Sequence, residues 1–155
     1  MNSEKKRIAF HTLGCKLNFS ETAQLSKDIN KFGYKKVDYH EESDVYVLNT
    51  CSVTQNADKE ARRLIRKAKR KNADSIIAII GCYAQLKPDE ISSIDGVNLI
   101  LGTEEKFNLL EHLGQLKTNS EVKIIQSDIS HEHTFKPSFT TSERTRSFLK
   151  IQDGC

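Results

Sequence analysis

Ser75-Ile76-Ile77-Ala78-Ile79-Ile80-Gly81, followed at once by Cys82, is the stretch that decides the fold. Four isoleucines and an alanine without a polar interruption describe a strand covered on both faces, as in a parallel sheet with helices above and below. The same succession, an apolar run giving way to one cysteine and then to a helix-like pattern, occurs twice upstream. Arg7 to Thr12 runs into Leu13-Gly14-Cys15, and Val45 to Asn49 runs into Thr50-Cys51. The three cysteines are separated by 36 and 31 positions, far wider than the tight pairs of a zinc finger. Only the fold can bring such thiols together.

Working outward, Asn18-Phe19-Ser20-Glu21 has the form of a capping box. It predicts a helix with Leu25, Ile29 and Phe32 on one face, stopped by Gly33. Tyr34 to Tyr39 is a short, partly charged strand suited to a sheet edge. Thr54 to Lys71 is the clearest helix: Ala57, Ala61, Leu64, Ile65 and Ala68 form an apolar stripe. Its acids stand near the start and its cations towards the end, as the helix dipole favours. Pro88 suits the first turn of a short helix through Ile94. Val97 to Leu101 is a fifth strand, Thr103 caps a last helix with Phe107, Leu110 and Leu113 inward and Gly114 after it, and Val122 to Gln126 is a candidate for one further strand.

Strands alternating with helices predict an α/β fold: a doubly wound, flavodoxin-like, five-stranded parallel sheet in the order 2-1-3-4-5 with helices on both faces. The domain is expected to span 1–126. Residues 127–145 are polar and aperiodic and read as a linker, and strand-like alternation resumes from 146 before the sequence stops at Cys155, as if a further domain began there.

The chain has 155 residues, 37% hydrophobic and 29% charged, with a net charge of +3. That is the balance of a water-soluble globular domain long enough to bury a core. The start, Met1-Asn2-Ser3-Glu4-Lys5-Lys6-Arg7, leads into an apolar stretch too short for secretion or membrane spanning. Four cysteines then read as metal-binding or catalytic rather than disulfide-bonded, and the expected compartment is the cytoplasm.

In the order 2-1-3-4-5, strands one, three and four are neighbours about 4.8 Å apart, so their C-terminal ends fall within roughly 10 Å. Those ends form the crevice in which open parallel sheets bind ligands, beside helix N-termini that favour thiolate. Cys15, Cys51 and Cys82 are therefore candidate metal ligands. Three thiolates on a cubic iron–sulfur cluster would leave one iron open to an external sulfur. Zinc on the three cysteines and His11 is a second option, and three ordinary buried thiols are a third. The spacing does not separate them.

Thr12-Leu13-Gly14-Cys15-Lys16-Leu17-Asn18 with Ser20-Glu21, Asn49-Thr50-Cys51-Ser52-Val53-Thr54 with Ala57-Asp58 and Arg62, and Gly81-Cys82-Tyr83-Ala84-Gln85 together resemble the N-terminal domain of the radical S-adenosylmethionine methylthiotransferases. Phe148-Leu149-Lys150-Ile151-Gln152-Asp153-Gly154-Cys155 looks like the entry to their radical domain. The Gly-Cys-Lys-Leu-Asn form is most similar to the branch that modifies N6-threonylcarbamoyladenosine at position 37 of tRNA, with the isopentenyladenosine and ribosomal-protein branches as alternatives. A non-catalytic, zinc-binding flavodoxin-like interaction module is the alternative outside the family.

The resemblance implies that Cys15, Cys51 and Cys82 hold an auxiliary 4Fe–4S cluster that serves as the sulfur site. It implies that Cys155 is the first ligand of a second 4Fe–4S cluster, which cleaves S-adenosylmethionine so that a methylthio group is added to C2 of the adenine. The other two ligands of that second motif are not in this sequence, so the chain by itself is expected to be inactive. The implied partners are the tRNA anticodon loop and the radical and C-terminal RNA-binding domains of the same protein, with no membrane.

Lys59, Arg62, Arg63, Arg66, Lys67, Lys69, Arg70 and Lys71 crowd one helix, which suits either tRNA phosphates or a solvated surface. His131-Glu132-His133 looks like a metal pair but stands in the linker. Phe135 and Phe139 suit either docking of that linker on the domain or contact with the further domain expected after it. Tyr83 either lines the sulfur pocket or packs, and Glu104 and Glu105 read as first-turn acids.

Overall fold

The computed structural model describes residues 4–14, 16–51, 55–116, 121–125, 138–139 and 149–150. Cys15, Cys155, the His131 to His133 motif, Phe135 and most of the expected linker lie outside the described residues. The strands are β1 (Lys6–Thr12), β2 (Tyr34–Val37), β3 (Val45–Thr50), β4 (Ile76–Gly81), β5 (Leu99–Leu101) and β6 (Lys123–Ile125). The helices are α1 (Lys16–Lys27), α2 (Gln55–Lys71), α3 (Cys82–Leu86), α4 (Pro88–Ser92) and α5 (Leu109–Gln115).

All neighbours in the main sheet run parallel, in the order β2-β1-β3-β4-β5-β6. The expected order 2-1-3-4-5 is present, but the sheet has six strands, not five. Lys123–Ile125 adds a parallel edge beside β5, and Ile124 on that edge is exposed.

The continuous apolar runs are continuous because both sheet faces are covered. Every residue of β3 and of β4 is buried. On one face Ala9, Leu48, Ile77, Ile79 and Ile100 pack with Leu64, Ile65 and Ala68 of α2 and with Tyr83, Ala84 and Ile91 of α3 and α4. On the other, Ile8, Val45, Val47, Ala78, Ile80 and Leu101 pack with Leu25 of α1, Ile29 and α5. This two-sided burial is the period-2 pattern of a strand read against two helix layers.

Several local expectations are corrected. Asn18 is not an N-cap: α1 starts at Lys16, and Asn18 is buried within its first turn. The helix ends at Lys27 and the chain continues as a 3-10 turn, Ile29–Phe32, before the left-handed Gly33 (φ 81°). The tighter turn rotates the helical face, so Ile29 is buried while Phe32 is 49% exposed. The short helix with Pro88 in its first turn is present as α4 but ends at Ser92 rather than Ile94, and a separate helix, α3, precedes it, beginning directly at Cys82. After β5, a 3-10 turn (Glu105–Asn108) precedes α5, and Gly114 lies inside α5 rather than after it. Glu105 accepts from Asn108 Nδ2 and faces His112 Nε2 at 3.1 Å, so it is more than a first-turn acid.

Two short strands, β7 (Ser138–Phe139) and β8 (Leu149–Lys150), pair antiparallel in a separate ladder with Phe139 opposite Leu149, and both lie against α1. Among the described residues, no helix is long and apolar enough to cross a membrane.

Candidate metal centre

The register places the strand ends level. Thr12 of β1 stands opposite Asn49 of β3, and Thr50 of β3 stands opposite Gly81 of β4. One or two residues beyond those ends the sequence carries Gly14, Cys51 and Cys82. Sheet order reverses between β1 and β3, so the three ends flank the switch point where such sheets bind ligands.

Gly14 lies directly against Cys51. A Cβ at residue 14 would overlap the Cys51 Cβ and stand 3.2 Å from its Sγ, and φ there is +106°. Glycine is thus demanded twice, by contact and by backbone conformation. Cys15 is outside the described residues, but it directly follows the glycine whose backbone touches Cys51. Gly81 behaves likewise: φ is +100°, and an added Cβ would stand 2.6 Å from both Asn49 Oδ1 and the Thr50 carbonyl oxygen. Cys51 and Cys82 are both half-buried.

The β1 and β3 ends are tied by side chains. Asn18 Nδ2 donates to the Leu13 carbonyl at 2.9 Å and to the Thr50 carbonyl at 3.2 Å. Asn49 Nδ2 donates back to the Asn18 carbonyl at 3.0 Å and to Thr22 Oγ1 at 3.1 Å. The Thr22 hydroxyl donates to the Asn18 carbonyl and accepts from Thr12 Oγ1 at 2.7 Å. Four residues from β1, α1 and β3 therefore form one buried knot beside the Cys51 turn. On the other side, Thr50 Oγ1 donates to the Ile80 carbonyl at 2.9 Å and fixes β3 to β4. Asn49 Oδ1 is buried and accepts no hydrogen bond among the described residues.

Tyr83, next to Cys82, is buried and donates its hydroxyl to Asp58 of α2. Arg62 Nε holds the same carboxylate at 3.2 Å. The Tyr83 hydrogen bond, with Arg62 beside it, keeps the Asp58 carboxyl below the usual carboxylate range; burial and the nearby carboxylate push the Tyr83 phenol up. The tyrosine thus packs and anchors the Cys82 turn to α2.

His11 lies on β1 with its ring 5.2 Å from that of Tyr39, and burial lowers its pKa. It packs against the core face rather than standing free beyond the strand ends. Among the described residues, no three His, Cys, Asp or Glu side chains converge as a metal site. Cys51 and Cys82 are the described candidates at the crevice, and the chemistry of the donor set suits a thiolate-bound group: two half-buried cysteines, glycine on two sides and an unsatisfied amide oxygen nearby.

A family-level match, described as "Uncharacterized protein family UPF0004", covers residues 7–102, from the second residue of β1 to just past β5, and includes Cys15, Cys51 and Cys82. The chain belongs to this family, the N-terminal domain of methylthiotransferases. Among curated relatives, it is 41% identical over 152 residues to the threonylcarbamoyladenosine tRNA methylthiotransferase MtaB of Bacillus subtilis, covering 96% of this chain and 33% of that protein. It is 37% identical to MtaB of Aquifex aeolicus, covering 96% of this chain and 37% of the relative. It is 32% identical to the tRNA-2-methylthio-N(6)-dimethylallyladenosine synthase of Clostridium beijerinckii, covering 99% of this chain and 35% of that protein. The chain spans about a third of the length of the curated relatives it matches.

Within this methylthiotransferase domain, the working partners of the sequence motifs are residues that local pattern does not single out. Asn49, Thr12 and Thr22 carry no local signal of the knot, and Asn18 carries a misleading one. Glu21 is 1% exposed and pairs at 2.6 Å with Lys106, itself 5% exposed. A glutamate on an otherwise inward helix face was the available signal, because carboxylates are almost never fully buried unpaired.

Proposed function

We propose that this chain is the auxiliary-cluster domain of a tRNA methylthiotransferase acting at C2 of N6-threonylcarbamoyladenosine 37, with Cys15, Cys51 and Cys82 as the three ligands of a 4Fe–4S cluster. One observation carries the reading: the contact of Gly14 with Cys51 across level strand ends, with Cys82 one residue past the β4 end. The similarity to two MtaB proteins, at higher identity than to the dimethylallyladenosine synthase, supports the threonylcarbamoyladenosine branch.

When bound, the cluster would supply an iron without a protein ligand, on which the sulfur to be transferred is held. The chain's own residues do the rest of the local work. Gly14 lets the β1 end pack directly against Cys51 and Gly81 lets the β4 end pack against Asn49 and Thr50, the Asn18–Asn49–Thr22 knot holds the β3 end at Cys51, and the Tyr83–Asp58 bond holds the start of α3 at Cys82. In the complete protein, Cys155 would be the first ligand of a second cluster, with S-adenosylmethionine as cosubstrate, a linker over 127–145, a radical domain from 146 and a C-terminal RNA-binding domain. The anticodon loop of tRNA would be the macromolecular substrate and the cytoplasm the compartment.

Two measurements test this. Anaerobic reconstitution with iron and sulfide should give a brown chromophore that is lost on Cys51→Ala and on Cys82→Ala; stoichiometric zinc and no chromophore would refute the cluster. Transfer RNA from cells lacking the gene should lose the 2-methylthio mark on threonylcarbamoyladenosine and keep it on isopentenyladenosine. The reverse loss would assign the other branch.

A further inference from the structure

We propose that the outer face of α2 is a phosphate track, a single line formed by Lys59, Arg63, Arg66 and Arg70 that takes the backbone of an RNA strand leading to the Cys51 crevice; this rests on the tRNA reading above. At about 100° per residue, these four positions fall within roughly 60° of one another around the helix. Ala61, Leu64, Ile65 and Ala68 occupy the opposite side and are buried in the sheet. All four cations of the line are exposed.

The helix sorts its charges. Three of its flanking cations are engaged with the protein: Arg62 with Asp58, Lys67 Nζ at 2.9 Å from His40 Nδ1, and Lys69 donating to the Ser75 carbonyl at 2.6 Å with its stem over Gly96; Lys71, in the last turn, has no such contact among the described residues. On the outer line Arg63 pairs with Glu60, across the exposed surface. Lys59, Arg66 and Arg70 make no hydrogen bond or ion pair among the described residues. The line extends about 16 Å along the helix axis at 1.5 Å per residue. It starts four residues into a helix whose first residue, Gln55, is four positions after Cys51.

The chemistry of the line selects its partner. Membrane-surface helices need an apolar face to lay into the lipid, and here that face is already buried against the sheet. No aromatic residue stands in the line, so it offers no stacking platform for bases. Unpaired guanidinium and ammonium groups without base-reading or stacking side chains are suited to phosphates, which position a strand without reading its sequence. Selectivity for the modified adenosine must then come from elsewhere.

The test is binding of a fluorescent anticodon stem–loop RNA to the full-length protein across a range of salt concentrations. Arg66→Glu with Arg70→Glu should weaken binding at low salt by about tenfold or more and flatten the slope of log affinity against log salt by about 0.7 for each phosphate no longer neutralised. A stem–loop of scrambled loop sequence should suffer the same loss. Lys5→Glu with Lys6→Glu makes the same charge change off the α2 line, at the start of β1, where both lysines are exposed, and should leave affinity near wild type. The track is overturned if the α2 double variant keeps wild-type affinity and slope, or if the Lys5/Lys6 variant loses as much. Failure of the wild-type protein to bind the RNA at all overturns the tRNA reading, and the track with it.

Discussion

The two seams beside the crevice are held by different means. Between β1 and β3 the ends are joined by a buried polar knot of Thr12, Asn18, Thr22 and Asn49, backed on α1 by the Glu21–Lys106 pair. Between β3 and β4 they are joined by close packing at Gly81, with one threonine hydroxyl across the seam and Tyr83 anchoring the following turn. The difference lies in what each can tolerate. A polar knot fails when a partner is removed even if shape is kept, because the remaining group stays buried and unsatisfied. A packed seam fails when volume is added and is largely indifferent to the loss of a single hydrogen bond.

The largest expected effect breaks the polar side. Glu21→Gln keeps the shape but leaves the Lys106 ammonium buried without its counter-charge. It should destabilise the domain by about 3–5 kcal/mol in denaturant unfolding. Glu21→Leu combined with Lys106→Met should cost much less than the sum of the two single changes; simple additivity would show that the pair is not coupled.

Next, Gly81→Ala should cost about 2 kcal/mol or more in the same assay, since it combines a glycine-favoured φ with a Cβ 2.6 Å from the Asn49 oxygen and the Thr50 carbonyl. Gly114→Ala, where an added Cβ meets nothing within 4 Å, is the control and should be neutral or better. Equal costs at the two glycines would remove the contrast between the seams.

The smallest effect sharpens it. Tyr83→Phe should cost only about 1–2 kcal/mol, because ring packing is kept and one hydrogen bond to a charged group is removed. Its signature is in pH. The folded Asp58 carboxyl is depressed, so it contributes stability that is present above its unfolded pKa and lost as pH falls through the folded one. Removing the tyrosine hydroxyl, the main cause of that depression, should make stability fall less steeply below about pH 4. An unchanged acid limb would show that Arg62 alone sets the carboxyl.

The strands were legible because nothing in a parallel sheet competes with a continuous apolar run. Ser75 to Gly81 needed no partner to be read, and the order of strands followed from the alternation with helices. The face of α2 was legible for a similar local reason, a 3.6-residue repeat sustained along the whole helix. What escaped were contacts between residues distant in sequence. Asn18 has a shape that fits a local cap, and nothing local reveals that its amide reaches Thr50, 32 positions away. Glu21 and Lys106 are 85 positions apart, each ordinary among surface charges until the fold joins them. The cysteine positions were read from strand ends, but the knot that steadies one of them belongs to tertiary structure.

The polar knot has a consequence for how a bound group would be received. In small metal-folded domains the ligands are gathered by the ion itself, so binding and folding are one event. Here amides and hydroxyls of the chain already fix the turn at Cys51, and Gly14 is seated against its side chain. The ordering entropy of Gly14 and Cys51 at the strand ends is met when the sheet forms. If the cysteines hold a cluster as proposed, loading and folding are separable, and a chelator should remove the group without melting the domain.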